Sequence, residues 1–415
     1  WILNKRNNQK KFNFIDYPWV LECAYKAKIL EIECQLEKDK ITSESYNSML
    51  GSALLGGPNA IMDAIFLKLE VRRDHLIEDT LKRLVNPGLN FKKTLKVKFA
   101  GEQGVDEGGV RKEFFQLMTK QLFDPGFAMF IPTSDNRHLW FNQHSFECNV
   151  NFELCGIVLG LAIYNSINLD LKFPHVVYKK LLDEETTFED LQFFDSQVYN
   201  SLKKLLEYYN DDIADVFGLT FQIEQEYFGE MKNVDLKPDG GNIKVTNENK
   251  EEFVERYVNW IFNESISTQF KSFYKGFQRV VSNSSIKLFT GDELNTLICG
   301  SEVLDFSELE KVTRYEGGYS KDHPLIKWFW EIVKTLSEEE KKKFLFFCTG
   351  SDRAPIKGLG TLEFIIERHG EDSERLPSAH TCFNHFLLPE YTTKEKLQKK
   401  LMSAIDNSQG FGLIQ

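Results

Sequence analysis

The side chains best suited to covalent chemistry in this sequence are its thiols: Cys23, Cys34, Cys148, Cys155, Cys299, Cys348 and Cys382. No two form a CxxC pair, which argues against a zinc knuckle or a thioredoxin-like redox site. Their odd number and wide spacing predict reduced thiols in a cytoplasmic, or nuclear, protein. Cys382 stands apart. It lies in Leu376-Pro377-Ser378-Ala379-His380-Thr381-Cys382-Phe383-Asn384, and a second proline follows at Pro389. Prolines on both sides predict a loop or strand edge where a thiol can be reached. His380 and His385 are close enough in sequence to favour the thiolate, the reactive form. An ordinary half-buried thiol would have the same neighbours, so spacing alone leaves both readings open. Cys148, Cys155, Cys299 and Cys348 have apolar neighbours and read as inert core.

Other familiar site patterns fail. Gly101-Glu102-Gln103-Gly104-Val105-Asp106-Glu107-Gly108-Gly109 resembles a phosphate loop only in its glycines. No Lys-Ser or Lys-Thr closes it, the GxGxxG spacing is missing, and three acidic side chains would repel phosphate. It reads instead as a strand-to-helix turn that uses glycine for positive φ. No GxSxG elbow or HExxH helix occurs, and the eight histidines are scattered. Neither a metal nor a cofactor is expected.

The elements that must position Cys382 follow from composition and periodicity. A chain of 415 residues has enough length for two or three domains. Its 42% hydrophobic and 27% charged residues predict a soluble globular protein, and its 35 phenylalanines predict Phe-packed cores. No apolar run reaches the roughly 18 residues of a membrane span. No signal peptide is visible, and a start at Trp1 reads as a fragment whose upstream part is unseen. The net charge of −11 argues against a general nucleic-acid binder.

Helical periodicity covers 17–50, then breaks at Gly56-Gly57-Pro58. A second helical stretch runs over about 60–85 and stops at Asn86-Pro87-Gly88. Leu95–Phe99 alternates as a strand, a helix follows through Phe114 and Phe115, and 138–142 suggests another strand. Residues 152–168, with Gly156, Gly160 and Ala162, predict a buried helix packed close on a neighbour. Residues 183–245 are polar and turn-rich, and Lys237-Pro238-Asp239-Gly240-Gly241 reads as a hairpin turn. Helix returns over 248–282, and a composition change at 290–302 marks a candidate hinge. Phe344–Phe347, Leu362–Ile366 and Phe386–Leu388 read as short strands, before a closing helix at about 393–406.

Taken together, these segments resemble a known family. Phe99–Gly109 followed by Glu113-Phe114-Phe115, Gly156–Asn165, Thr349-Gly350-Ser351-Asp352-Arg353-Ala354-Pro355, Leu376–Asn384 and the ending Gly410-Phe411-Gly412 are similar to the signatures of HECT-type ubiquitin-protein ligases. The match spans roughly 60–415 in the family's order, and it looks closest to the HERC-like branch.

The resemblance implies an α+β, bilobal HECT fold. Residues 1–59 would form an N-terminal helical extension. Residues 60–295 would form a mostly helical N-lobe with an inserted conjugating-enzyme-binding subdomain at about 183–260. A hinge at about 293–302 would lead to a smaller α/β C-lobe at 300–415. The resemblance makes Cys382 the thioester nucleophile, with His380 and Thr381 in support. It places a ubiquitin-conjugating enzyme in a groove of Val198, Leu202, Leu205, Tyr208 and Phe253, and gives the C-terminal Phe411 a family role. Val198, Leu202 and Leu205 share a helix face by spacing, but a core stripe has the same period. The implied partners are the conjugating enzyme, ubiquitin and a substrate lysine, with no nucleic acid and no membrane span. Three other readings stay open in the sequence: a scaffold that binds a conjugating enzyme but transfers nothing, a cysteine protease, and transfer of a ubiquitin-like modifier.

Overall fold

A computed structural model describes residues 14–50, 62–102, 109–227 and 229–407, with backbone alone at 48–50, 227 and 382. Helix α1 (Cys23–Leu50) is followed by strand β1 (Phe66–Val71), helix α2 (Leu76–Leu84) and strand β2 (Thr94–Phe99). The long helix expected over 60–85 is therefore interrupted by a strand. Phe66-Leu67-Lys68-Leu69-Glu70-Val71 turns alternate residues inward, and β1 pairs in parallel with β2, Leu67 opposite Leu95 and Leu69 opposite Val97. The period of two was present in the sequence but too short to outweigh the helical residues after it. Parallel pairing needs a crossover, and α2 supplies it, packed on β1.

Helix α3 (Gly109–Leu122) buries Phe114, Phe115 and Met118. Strands β3 (Phe130–Pro132) and β4 (Leu139–Phe141) pair antiparallel and deliver Phe130 and Phe141 to an aromatic cluster with Phe152, Phe173 and Phe273. Helix α4 (Asn149–Tyr164) is buried along nearly its whole length. Its Gly156 faces Gly276 of α8 (Ser267–Val280). A Cβ on Gly156 would run into the Phe273 carbonyl and stand 2.7 Å from the Phe277 nitrogen, so the two backbones touch. This is the close packing that the small residues predicted.

Helix α5 (His175–Leu181) leads into a peripheral unit built from α6 (Ser196–Leu206), the hairpin β5 (Gln222–Tyr227) and β6 (Glu230–Asp235), and α7 (Lys250–Asn259). The hairpin turn lies between Tyr227 and Glu230, not at Lys237–Gly241. That later segment is instead a 3₁₀ turn entered through Asp239 at φ 60°. A turn of π-helix, Trp260–Glu264, joins α7 towards α8.

Helix α9 (Gly291–Cys299) is closed at its start by a capping box between Thr290 and Glu293, and it buries Leu294, Ile298 and Cys299. Most of the expected hinge is therefore packed helix. The connecting chain is shorter, beginning at Gly300 (φ 91°) and passing exposed Val303. Beyond it come α10 (Phe306–Val312), β7 (Arg314–Glu316), α11 (Pro324–Thr335), α12 (Glu338–Thr349), β8 (Ile365–Arg368), β9 (Ser378–His380), β10 (His385–Leu388) and α13 (Lys394–Asn407). The Phe344–Phe347 run, expected as a strand, belongs to α12. A Ser337–Glu340 capping box starts this helix, and Phe344, Leu345 and Cys348 face inward at helical spacing. Among the described residues the C-terminal sheet runs β7-β8-β10-β9, with β9 antiparallel to β10 and the other pairs parallel.

The buried apolar side chains fall into two clusters. One runs from Ala27 to Cys299 and the other from Leu304 to Ile405, the bilobal α+β arrangement. No helix among the described residues is long and apolar enough to cross a membrane.

Candidate active site

Strand β9 stops at His380, one 3₁₀ turn (Thr381–Phe383) follows, and Asn384 takes left-handed backbone (φ 49°, ψ 42°) before β10 begins at His385. An asparagine tolerates that conformation better than other non-glycine residues, so it can turn the chain back on itself within four residues. Register then follows: His380 lies opposite His385, Ala379 opposite Phe386 and Ser378 opposite Leu387. Phe386 and Leu388 point into the second core, which anchors the turn from below. Cys382 therefore lies on an edge-strand turn of the C-terminal sheet, next to exposed Phe383.

Two histidines flank this turn on the outer face, with ring centroids 6.1 Å apart. His385 Nε2 stands 2.9 Å from Glu367 Oε2 on the neighbouring strand. Glu316 is paired in register with Glu367, and ligand-capable atoms of Glu316, Glu367 and His385 lie within 4.8 Å of one another. No sequence spacing announced this juxtaposition. Carboxylates on an exposed sheet face gather in this way without an ion, and here Glu367 lies within hydrogen-bond distance of the His385 ring.

The other lobe also reaches the turn. Lys112, on α3, donates through Nζ to the Thr381 carbonyl oxygen at 3.1 Å and to Asn384 Oδ1 at 2.9 Å. The Asn384 amide nitrogen in turn donates to the Glu363 carbonyl at 3.1 Å. Sequence reasoning missed Lys112, because a lysine next to Arg111 on a helix start looks like any solvated charge.

The remaining thiols differ from Cys382 in setting. Cys155, Cys299 and Cys348 are fully enclosed, and burial pushes each thiol up, away from the thiolate form. Burial also raises Cys34 to about 12, and raises Cys23 to about 11 with Glu293 adding to the effect. Cys148 corrects its expectation: it is exposed at the N-cap of α4, where the chain has not yet entered the core.

In the expected groove, Leu202, Leu205 and Phe253 are 6%, 1% and 2% exposed, so they pack mostly within the peripheral unit. Val198 and Tyr208 are half-buried, and the Tyr208 hydroxyl donates to Asp212 at 2.7 Å. Among the described residues, the exposed large apolar side chains of this unit are Phe193, Tyr209, Val216 and Met231. Phe411 lies outside the described residues.

Comparison with known proteins matches residues 116–414 to the family described as HECT-domain (ubiquitin-transferase). A human protein named as a probable E3 ubiquitin-protein ligase HERC4 is 40% identical over 399 residues, covering 96% of this chain and 38% of the relative. A mouse probable E3 ubiquitin-protein ligase HECTD2 is 39% identical, covering 98% of this chain and 54% of the relative. A probable E3 ubiquitin-protein ligase HUL4 from Eremothecium gossypii is 37% identical, covering 98% and 50%. The chain thus spans about half or less of the length of these relatives.

Proposed function

Because the chain belongs to the HECT-domain (ubiquitin-transferase) family, we propose that it accepts ubiquitin from a conjugating enzyme as a thioester on Cys382 and passes it to a substrate lysine. The observation that carries this reading is the setting of the cysteine. It lies on a short turn at a sheet edge between two histidines, whereas Cys34, Cys155, Cys299 and Cys348 are sealed in the cores.

The chemistry is two acyl transfers. The Cys382 thiolate attacks the carbonyl carbon of the loaded conjugating enzyme's thioester, a new C–S bond forms, and the conjugating enzyme's sulfur leaves as thiolate. One thioester replaces another, so the step is close to balanced in energy and its rate follows thiolate fraction and access. A neutral lysine amine then attacks the new thioester. Its nitrogen loses a proton, the C–N bond forms and the Cys382 thiolate leaves. His380 and Thr381 support the turn from its N-terminal side. Neither step calls for a metal or a nucleotide.

The conjugating enzyme docks on the peripheral unit at 183–260, using half-buried Val198 and Tyr208 with their exposed neighbours Tyr209 and Val216. Free thiols at every other described cysteine suit a reducing compartment, the cytosol or nucleus.

The test is a loading reaction with activating enzyme, a panel of conjugating enzymes, ATP and ubiquitin, read on non-reducing gels. The expected result is a ubiquitin adduct that reductant removes and Cys382→Ala abolishes. A folded chain that binds a conjugating enzyme but forms no adduct across the panel overturns the reading.

A further inference from the structure

We infer that Lys112 is a positioning residue for the transfer, seating the cysteine turn of one lobe on helix α3 of the other; the inference rests on the ubiquitin-transfer reading above. Helix α3 belongs to the first core through Phe114, Phe115 and Met118, whereas the turn belongs to the second through Phe386 and Leu388. The Lys112 ammonium crosses between them. It takes an acceptor on each side of Cys382–Phe383, the Thr381 carbonyl before and the Asn384 side chain after. Hydrogen bonds from a charged donor are the stronger kind, and two of them spanning a four-residue turn fix its direction as well as its place.

The seat continues one helical turn along α3. Gln116 Nε2 donates to the Thr349 carbonyl at 3.5 Å. Gly350, in left-handed backbone (φ 74°), leaves the space that Gln116 occupies, since a Cβ there would overlap the Gln116 amide. Lys112 and Gln116 are four residues apart and so share a face of α3. Both are aimed at C-lobe backbone.

Elsewhere among the described residues the lobes also meet through Ile356, which packs against the first core. Lys357 meets Glu31 at 3.2 Å, but both side chains are largely in water, where such a pair adds little. The connecting chain from Gly300 is short and partly exposed. The orientation of the cysteine turn relative to the first lobe is therefore held at Lys112, with Gln116 beside it. Both are polar contacts between the lobes. A reacting sulfur held in one direction gains rate through orientation, and Lys112 acts on that orientation through Thr381 and Asn384, which flank the cysteine.

The experiment uses the whole chain, steady-state ubiquitin transfer to free lysine with a varied loaded conjugating enzyme, and the variants Lys112→Met, Lys112→Arg and Asn384→Gly. Lys112→Met is expected to lower kcat roughly tenfold or more while leaving KM for the loaded conjugating enzyme unchanged. Lys112→Arg, which keeps a cation and several donors, recovers most of the rate. Asn384→Gly removes the second acceptor from the opposite lobe while tolerating the left-handed backbone. It should lower kcat in the same way, and Lys112→Met with Asn384→Gly should lose no more than the worse single change, as for two ends of one interaction.

A normal kcat in Lys112→Met, a loss confined to KM, no recovery with arginine, or simple additivity with Asn384→Gly would each overturn the inference. If Lys112→Met fails to fold, the Asn384→Gly kcat decides alone. Failure of the wild-type chain to form the Cys382 adduct would instead sink the transfer reading itself, so the two outcomes are distinguishable.

Discussion

Lys26 and Glu293 form an ion pair at 2.6 Å that ties the first long helix to the last helix before the lobe boundary. The ammonium is 2% exposed, and Glu293 is also the acidic partner in the capping box that starts α9. One carboxylate therefore both closes a helix and neutralises a buried cation. With Glu33 bonded to Ser284 and Ser285, and Ala27, Leu30 and Cys34 in the first core, α1 acts as a brace laid across the end of the N-lobe. Glu293→Gln keeps an acceptor for Thr290 but strands the Lys26 charge, and should destabilise the chain by about 2–4 kcal/mol. Lys26→Met, which replaces the cation with an apolar group of similar length, should cost clearly less. Urea unfolding of both variants measures the difference. Equal losses would mean that the pair matters for packing and not for charge.

The buried stripe on α6 leads to a separate prediction. Leu205 is 1% exposed and Tyr209 is 78% exposed, only four residues further along the chain. Leu205→Ala should destabilise the peripheral unit by about 2–5 kcal/mol through the cavity it leaves. Any weakened binding of a conjugating enzyme would then follow from that loss. Tyr209→Ala should cost about 1 kcal/mol or less of stability, from the lost contact of the Lys250 ammonium with its ring at 4.1 Å, and weaken binding directly. Calorimetric binding and thermal melts on both variants separate the two roles. A Tyr209→Ala chain that binds as wild type moves the docking surface elsewhere.

The α+β bilobal fold was legible through the family resemblance, while individual elements were legible from their own residues. Gly156 and Gly160 within an apolar helix announced a close helix crossing, and α8 approaches at that place. The loop or strand edge at Cys382 was legible from its flanking prolines, whereas the left-handed Asn384 that makes the turn was not singled out. What failed were cases where two physical causes leave the same pattern. A helix face spaced i, i+4, i+7 is apolar whether it meets the core or a partner, so spacing alone could not show how deeply Leu202 and Leu205 are buried. Phe344–Phe347 is as apolar as a strand, and only the Ser337–Glu340 cap seven residues upstream reveals a helix. A composition change marked the lobe boundary too broadly, because α9 carries polar residues on its outer side while its inner side is packed. Lys112 could not be found at all from local sequence. Its acceptors, Thr381 and Asn384, lie about 270 residues away, and only the folded chain brings them together.

Glu153 gives a pH-dependent prediction. It is 8% exposed on α4, where it accepts from Lys275 at 2.7 Å and Arg279 at 2.8 Å, both on the helix that packs against the glycines. Burial pushes its carboxyl up, but the hydrogen bonds and charges of Lys275 and Arg279 outweigh burial and hold it below the usual 4.5. A carboxylate with a lowered pKa in the folded state binds its proton more readily in the unfolded chain. Its contribution to stability is therefore fully present above the unfolded value and is lost as pH falls through the folded value. Glu153→Gln should be less stable than wild type by about 1–3 kcal/mol at neutral pH, and the gap should narrow as pH is lowered below the ordinary carboxylate range. Paired denaturant titrations from pH 7 to pH 3 measure that gap directly. A gap that stays constant across the range would show that the carboxamide fails for reasons of shape, and that the charge of Glu153 does not hold the α4–α8 crossing together.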